Sequence, residues 1–120
     1  MTLTVTQMAD KFAVASGQVN SPDLSADLVW EEAIEWNEEV DLHGLSVHSP
    51  VDELKELADL VYVCYGRARV MGYDLEEAIN RVHGNNMGRM YQPDGTIMRR
   101  DDGKIMKNKD YPKVDLSDLV

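Results

Sequence analysis

A single cysteine, Cys64, rules out an internal disulfide framework, so nothing covalent staples this chain and its stability must come from packing. Cys64 lies in an apolar run, where a thiol acts as a small buried hydrophobe, and an unpaired thiol fits the cytosol. Long apolar stretches are missing too. The longest, residues 60–65, falls far short of the roughly 20 residues that a membrane helix needs. No basic-then-apolar leader opens the sequence, so a soluble cytoplasmic protein is expected, in the host's cytoplasm if a phage encodes it. Internal repeats, low-complexity tracts and linkers are also lacking, which predicts one domain over residues 1–120. A chain of this length has little bulk with which to enclose a ligand, and self-association into a dimer or tetramer is expected.

Basic side chains are scarce where acidic ones are dense. The net charge of −10 argues against stable nucleic-acid binding, yet its distribution says more than its sum. Residues 1–79 carry 16 acidic and 4 basic side chains, whereas residues 80–120 carry 6 and 8. A metal cage followed by a phosphate clamp produces that pattern, and so does a solvated acidic face with an unrelated tail.

Helix signals organise most of the chain. Thr6 opens and Gly17 stops a first helix over about residues 6–16. Ser21-Pro22-Asp23 combines an N-cap, a first-turn proline and an acid near the helix dipole, and starts a second helix to about Val40. Gly44 with His43 and His48 reads as a loop. Ser49-Pro50-Val51-Asp52 repeats the start signal for a third helix to about Met71, stopped by Gly72. Asp74-Leu75-Glu76-Glu77 reads as a capping box for a fourth helix ending near Gly84. Beyond Asn86 the periodicity fades. Thr96-Ile97-Met98 and Lys104-Ile105-Met106 read as a small hairpin, and residues 111–120 as an extended tail. The expected fold is all-α, a four-to-five-helix bundle with a helical core over about residues 6–90 and a short irregular or hairpin tail over about 91–120.

The chemistry-bearing pattern is a pair of acidic motifs, Glu31-Glu32-x-x-Glu35 and Glu56-x-x-Asp59, on consecutive helices. Carboxylates three residues apart share a helical face. Two such pairs on antiparallel helices make a cage of oxygen ligands for a hard divalent cation. Helix two places Glu32, Glu35 and Glu39 beside the apolar Leu28, Val29 and Trp36, and helix three sets Glu56 and Asp59 among Leu60, Val63 and Val70. Acids on the face that a core should claim repel one another and shift upward in pKa unless a cation joins them. The blander reading pairs them with Lys55, Arg67 or Lys11. Residues 57–65 are apolar on nearly every side apart from Asp59, so a second face of helix three is expected to meet another subunit, together with Trp30 and Ile34. Alternatively, helices one and four cover both faces within one chain.

These residues resemble a family. Glu31-Glu32-Ala33-Ile34-Glu35, then Glu56-Leu57-Ala58-Asp59 after a gap of about 20 residues, look like the paired motifs of the all-α nucleoside triphosphate pyrophosphohydrolases. That superfamily includes MazG-like proteins, dimeric dUTPases and phosphoribosyl-ATP pyrophosphohydrolases. The segment 55–66 resembles the second metal helix of the phosphoribosyl-ATP-pyrophosphohydrolase-like branch. Val82-His83-Gly84-Asn85-Asn86-Met87-Gly88-Arg89-Met90 resembles its segment ending in Asn-Met-Ser-Lys, and the stretch from Asp94-Gly95 through Lys104-Ile105-Met106-Lys107 to Leu116 resembles its lysine-bearing tail. The likeness spans roughly residues 6–116.

By position, the resemblance implies Glu32, Glu35, Glu56 and Asp59 as ligands of Mg2+, with Mn2+ as a substitute. It implies Glu31 and Glu38 as further catalytic acids that hold a second ion or orient water, although helical geometry favours Glu39 over Glu38 for facing the cage. It implies Asn86, Arg89, Lys104 and Lys107 as substrate-binding residues. Two departures stand out: Gly88-Arg89 replaces the frequent Ser-Lys, and Ala26-Asp27-Leu28-Val29-Trp30 precedes the first motif where the family tends to carry arginines. The implied activity is Mg-dependent hydrolysis of a nucleoside triphosphate to the monophosphate and pyrophosphate. Phosphoribosyl-ATP hydrolysis is the rival within the enzyme class, and a non-catalytic acidic interaction protein, a decoy for a basic partner, is the rival outside it. His43 and His48 read as loop residues rather than ligands, because a hard cation selects oxygen. His83 lies either near the nucleotide or at a helix end.

Overall fold

The computed structural model describes residues 2–40 and 49–120. Among them are four helices, α1 (Val5–Ser16), α2 (Pro22–Glu39), α3 (Pro50–Met71) and α4 (Leu75–Arg89). A two-stranded antiparallel sheet of β1 (Met98–Arg99) and β2 (Ile105–Met106) and a single 3-10 turn (Ser117–Leu119) follow. The expected all-α fold is what the chain adopts. The expected loop at His43, Gly44 and His48 lies outside the described residues. None of the described helices is long and apolar enough to cross a membrane. The chain gathers into two compact units, Met1–Tyr73 and Asp74–Val120.

In the first unit, local chemistry sets each helix boundary. Ser21 and Ser49 accept from the backbone N–H of Leu24 (3.1 Å) and Asp52 (3.2 Å), each followed by a first-turn proline. Gly17 and Gly72 close α1 and α3 in the left-handed conformation, at φ 65° and 74°. The first helix begins earlier than Thr6. Thr4 is its N-cap, because only Thr4 has Gln7 three residues on to complete a reciprocal capping box.

The packing is α2 along α3, with α1 against α3. Arg67, near the C-terminal end of α3, donates to Pro22 O (2.7 Å) and Ser25 Oγ (3.1 Å) at the start of α2. At the opposite end, the indole Nε1 of Trp36 donates to Glu53 Oε1 at 2.7 Å. Two clasps between opposite ends make the pair antiparallel. On the α1 side, Phe12 meets Tyr62 edge to face at 5.9 Å, and Arg69 reaches Asp10 (2.9 Å) and Asn20 (2.7 Å). The buried core is thin. Among the described residues only Ala9, Ala13, Ser25, Tyr65 and Ala68 are buried, while Trp30, Ile34, Leu54, Leu57 and Val61 are exposed. The face of α3 expected to be covered on both sides is therefore open in the single chain.

In the second unit, α4 runs five residues past Gly84, to Arg89, which corrects the shorter expectation. The reason is tertiary. The C-terminal segment, with residues 111–120 expected to be an extended tail, folds back on α4: Arg81 grips Asp118 at 2.6 and 3.0 Å, Asn85 donates to Pro112 O at 2.9 Å, and Asn108 N–H donates to Arg89 O at 2.7 Å. Tyr111 rests on Gly88, where any Cβ would collide with its ring. That contact accounts for glycine at this position. At the start of α4 the expected capping box is only half made. Asp74 accepts from Glu77 N–H at 3.1 Å, but the Glu77 carboxylate turns to Asn80 and Arg81. The hairpin forms in the register Met98↔Met106 and Arg99↔Ile105, around an Asp102-Gly103 turn in which Gly103 takes φ 89°.

Candidate metal centre and phosphate site

The antiparallel register pinned by the Arg67 and Trp36 clasps sets Glu32 and Glu35 of α2 against Glu56 of α3. One carboxylate oxygen from each of the three lies within 4.8 Å of the others. Glu32 and Glu56 are half-buried, and Glu35 is exposed. Glu32 Oε2 and Glu56 Oε2 are both sealed from solvent without a hydrogen-bond partner. Buried acceptors normally have donors, and the cation beside this group is Lys55, whose Nζ lies 3.7 Å from Glu56 Oε1, the other oxygen of that carboxylate. A hard cation fits this donor set, because it takes several anionic oxygens at once.

Asp59, the fourth predicted ligand, is not in that trio. It pairs with Lys55 at 2.8 Å, as the blander reading allowed, and its side chain keeps 36% exposure against 16% for Glu56. Arg67, the more serious rival for these acids, is engaged with Pro22 and Ser25 instead. Glu31 and Glu38 are exposed and stand outside the trio, and Glu39 is half-buried.

Electrostatics follow the crowding. Glu32 is pushed up from 4.5 to about 7, chiefly by burial and then by Glu35, Asp59 and Glu56. Burial also raises Glu56, against the opposing pull of Lys55. Lys55 is raised in turn, first by its bond to Asp59. A carboxyl whose folded pKa lies above its unfolded value binds protons more tightly when folded, so stability falls as pH rises from about 4.5 to about 7. The metal-free protein should therefore melt lower at pH 7.5 than at pH 5. Discounted for partial exposure, the effect is on the order of 1 kcal/mol, or about 3–6 °C. Calorimetry in chelator across that range checks it, and a Glu32→Gln variant should flatten the slope.

The second unit holds a concavity of about 340 Å³ lined by Arg89, Arg100, Lys104, Lys107 and Lys109 with Ile105 and Met106. Three of the four predicted substrate-binding residues meet there. Asn86 does not; it is exposed on α4, as is His83, which lies two turns short of the helix end and so gains little from the dipole. Sequence reading missed Arg100 and Lys109. The hairpin register supplies the first, since Arg100 follows β1 directly and its guanidinium is anchored by Asp102 at 2.9 Å.

Carboxylates gathered across an antiparallel helix pair are the arrangement that the resemblance to the MazG-like all-α pyrophosphohydrolases implies. The model of the phosphoribosyl-ATP pyrophosphohydrolase family matches residues 11–86, and the chain belongs to that family. Its general activity is thus of the nucleotide pyrophosphohydrolase type, and the family is typically metal-dependent. The matched segment contains every acid of the candidate centre and Asn86, and stops before the basic concavity. A comparison with curated proteins gave no match.

Proposed function

We propose that this chain is a magnesium-dependent nucleoside triphosphate pyrophosphohydrolase that cleaves between the α and β phosphates and releases the monophosphate and pyrophosphate. The observation that carries this reading is the trio of Glu32, Glu35 and Glu56 with two sealed, donor-less oxygens. These three would hold the cation, with Asp59 as a fourth ligand once the exposed Lys55 swings aside. When bound, Mg2+, or Mn2+ in its place, neutralises phosphate charge and lowers the pKa of a water. The chain's own acids would orient the attacking water: Glu31 and Glu38 have exposed carboxylates on the same helix, and a carboxylate within reach of a water accepts its proton. The cations of the second unit, Lys104 and Lys107 first, bind phosphate oxygens, because ammonium and guanidinium groups favour the charge that builds on a leaving pyrophosphate.

Phosphoribosyl-ATP is the second substrate to weigh, favoured by the family match. The interaction-protein reading needs its charges outside, and a Glu56 side chain at 16% exposure speaks against it. Pyrophosphate release measured across canonical and modified nucleoside triphosphates and phosphoribosyl-ATP, with Mg2+, Mn2+ or chelator, tests the proposal. Metal-dependent release from one or more triphosphates supports it, and release from phosphoribosyl-ATP alone would replace it with the second reading.

Self-association belongs to the same proposal. Trp30, 69% exposed on α2, and Leu54, Leu57 and Val61 on α3 leave more apolar surface open than such a thin core supports. Sedimentation at micromolar concentration should give a dimer or larger, and an active monomer would overturn it.

A further inference from the structure

A cavity of about 240 Å³ lies between α1, α2 and α3, entirely within the first unit. Its walls are apolar, from Phe12, Leu28, Tyr62 and Val63, and Glu32 and Asp59 line it as well. It therefore opens onto the same carboxylates that make the candidate metal centre. A ligand pocket is typically apolar with a few polar groups that fix orientation. Here Arg67 and Ser21 supply them, and the Arg67 guanidinium is held in place by Pro22 O and Ser25 Oγ.

Gly66 is the second observation. It occupies the interior of α3 without a left-handed φ and also lines the cavity. A glycine there weakens a helix relative to alanine. Packing does not require it, since a Cβ built at Gly66 meets nothing within 4 Å. Gly66 thus contributes no side chain to the lining of the cavity.

We propose that this cavity receives the base of the nucleotide whose phosphates reach the carboxylates, and that Gly66 sets the size of base admitted. The proposal rests on the pyrophosphohydrolase reading and names its base-recognition pocket. The occupant is a flat ring system with apolar faces and polar edges, joined to an anionic group. The flat faces suit Phe12 and Tyr62, with Phe12 53% exposed and able to cover a ring. The anionic group suits a cation held by Glu32 and its neighbours. The volume, just below the usual range for ligand pockets, leaves room for one base and no more.

The test uses binding as well as turnover. Wild type, Gly66→Ala and Gly66→Leu are titrated calorimetrically, in Mg2+, with the four deoxynucleoside 5′-monophosphates and with deoxyribose 5-phosphate as the baseless probe. At least one nucleotide should bind wild type tenfold or more tightly than the baseless probe. Gly66→Leu should erase that difference, and Gly66→Ala should retain most of it with a Tm no lower than wild type. Val63→Phe, one turn away, narrows the same cavity and serves if Gly66→Leu fails to fold. Equal affinity for nucleotide and baseless probe in wild type overturns the proposal, as does a Gly66→Leu protein that still prefers the nucleotide. A variant that changes only sedimentation overturns it in favour of a second copy as occupant. Parallel pyrophosphate assays separate the two readings: base-dependent binding without turnover of any triphosphate sinks the hydrolase and keeps the pocket, and turnover with no base dependence does the reverse.

Discussion

Glu56→Gln should lower turnover by at least about a hundredfold while leaving the helices intact and the metal-free protein no less stable. Glutamine keeps the shape of glutamate but removes the charge, and a hard cation bound by few protein ligands loses both affinity and position when one becomes neutral. Removing a preorganised electrostatic element from a reaction centre typically costs on the order of 10²–10³ in rate. The same change relieves repulsion, because Glu56 is crowded by Glu35 and Asp59 and is raised by burial. Activity falls and the apo melting temperature holds or climbs, a combination that a merely structural glutamate would not give. Asp59→Asn should also lose turnover if Asp59 completes the ligand set; as only a partner of exposed Lys55 it would change little. Magnesium titrations monitored by melting complete the test. Near wild-type rates in Glu56→Gln would remove the metal assignment.

The second large effect should come from Lys104 and Lys107. Both line the basic concavity with Arg89, Arg100 and Lys109, and the Arg100 guanidinium is already committed to Asp102. Losing a charge-assisted hydrogen bond to substrate costs about 1.5–3 kcal/mol, so each lysine that contacts phosphate should lower kcat/KM on the order of tenfold to a hundredfold. Lys104→Ala with Lys107→Ala should then weaken nucleotide affinity while Mg2+ binding without nucleotide stays nearly unchanged. The two losses should not add, since both side chains would hold one ligand. Unchanged kinetics at physiological salt would leave the concavity without a role and confine the site to residues before Arg89.

The starts of α2 and α3 and the end of α3 were legible because caps are local: a serine, a proline and, for α3, a terminal glycine act within one turn. Pairing Glu32 and Glu35 with Glu56 was legible from spacing, but their approach depends on the Arg67 and Trp36 clasps, which join residues 42 and 17 positions apart. Nothing local announces those. The same limit explains α4. Gly84 and Gly88 look like helix breakers in isolation, yet Tyr111 and Asn108 sustain the helix from the far end of the unit. Asp59 shows the converse: its spacing fits a ligand, while the lysine four residues before it offers a partner that spacing alone does not rank against a cation. Gly66 was visible in the sequence as a glycine inside a helix, but only the empty space around it gives that a meaning.

The first turn of α4 has its amide at Asp74 closed by the carbonyl of Leu119, and Arg81 by Asp118. The opening of this helix and residues 115–119 thus depend on each other across more than forty positions. During synthesis the residues of the Met1–Tyr73 unit emerge well before Leu119, whereas α4 must wait as a nascent helix with an unclosed start. A ribosome stalled before residue 115 would therefore display the carboxylate-bearing residues while the start of α4 is still unclosed, so the two halves of the charge asymmetry become available at different times during synthesis.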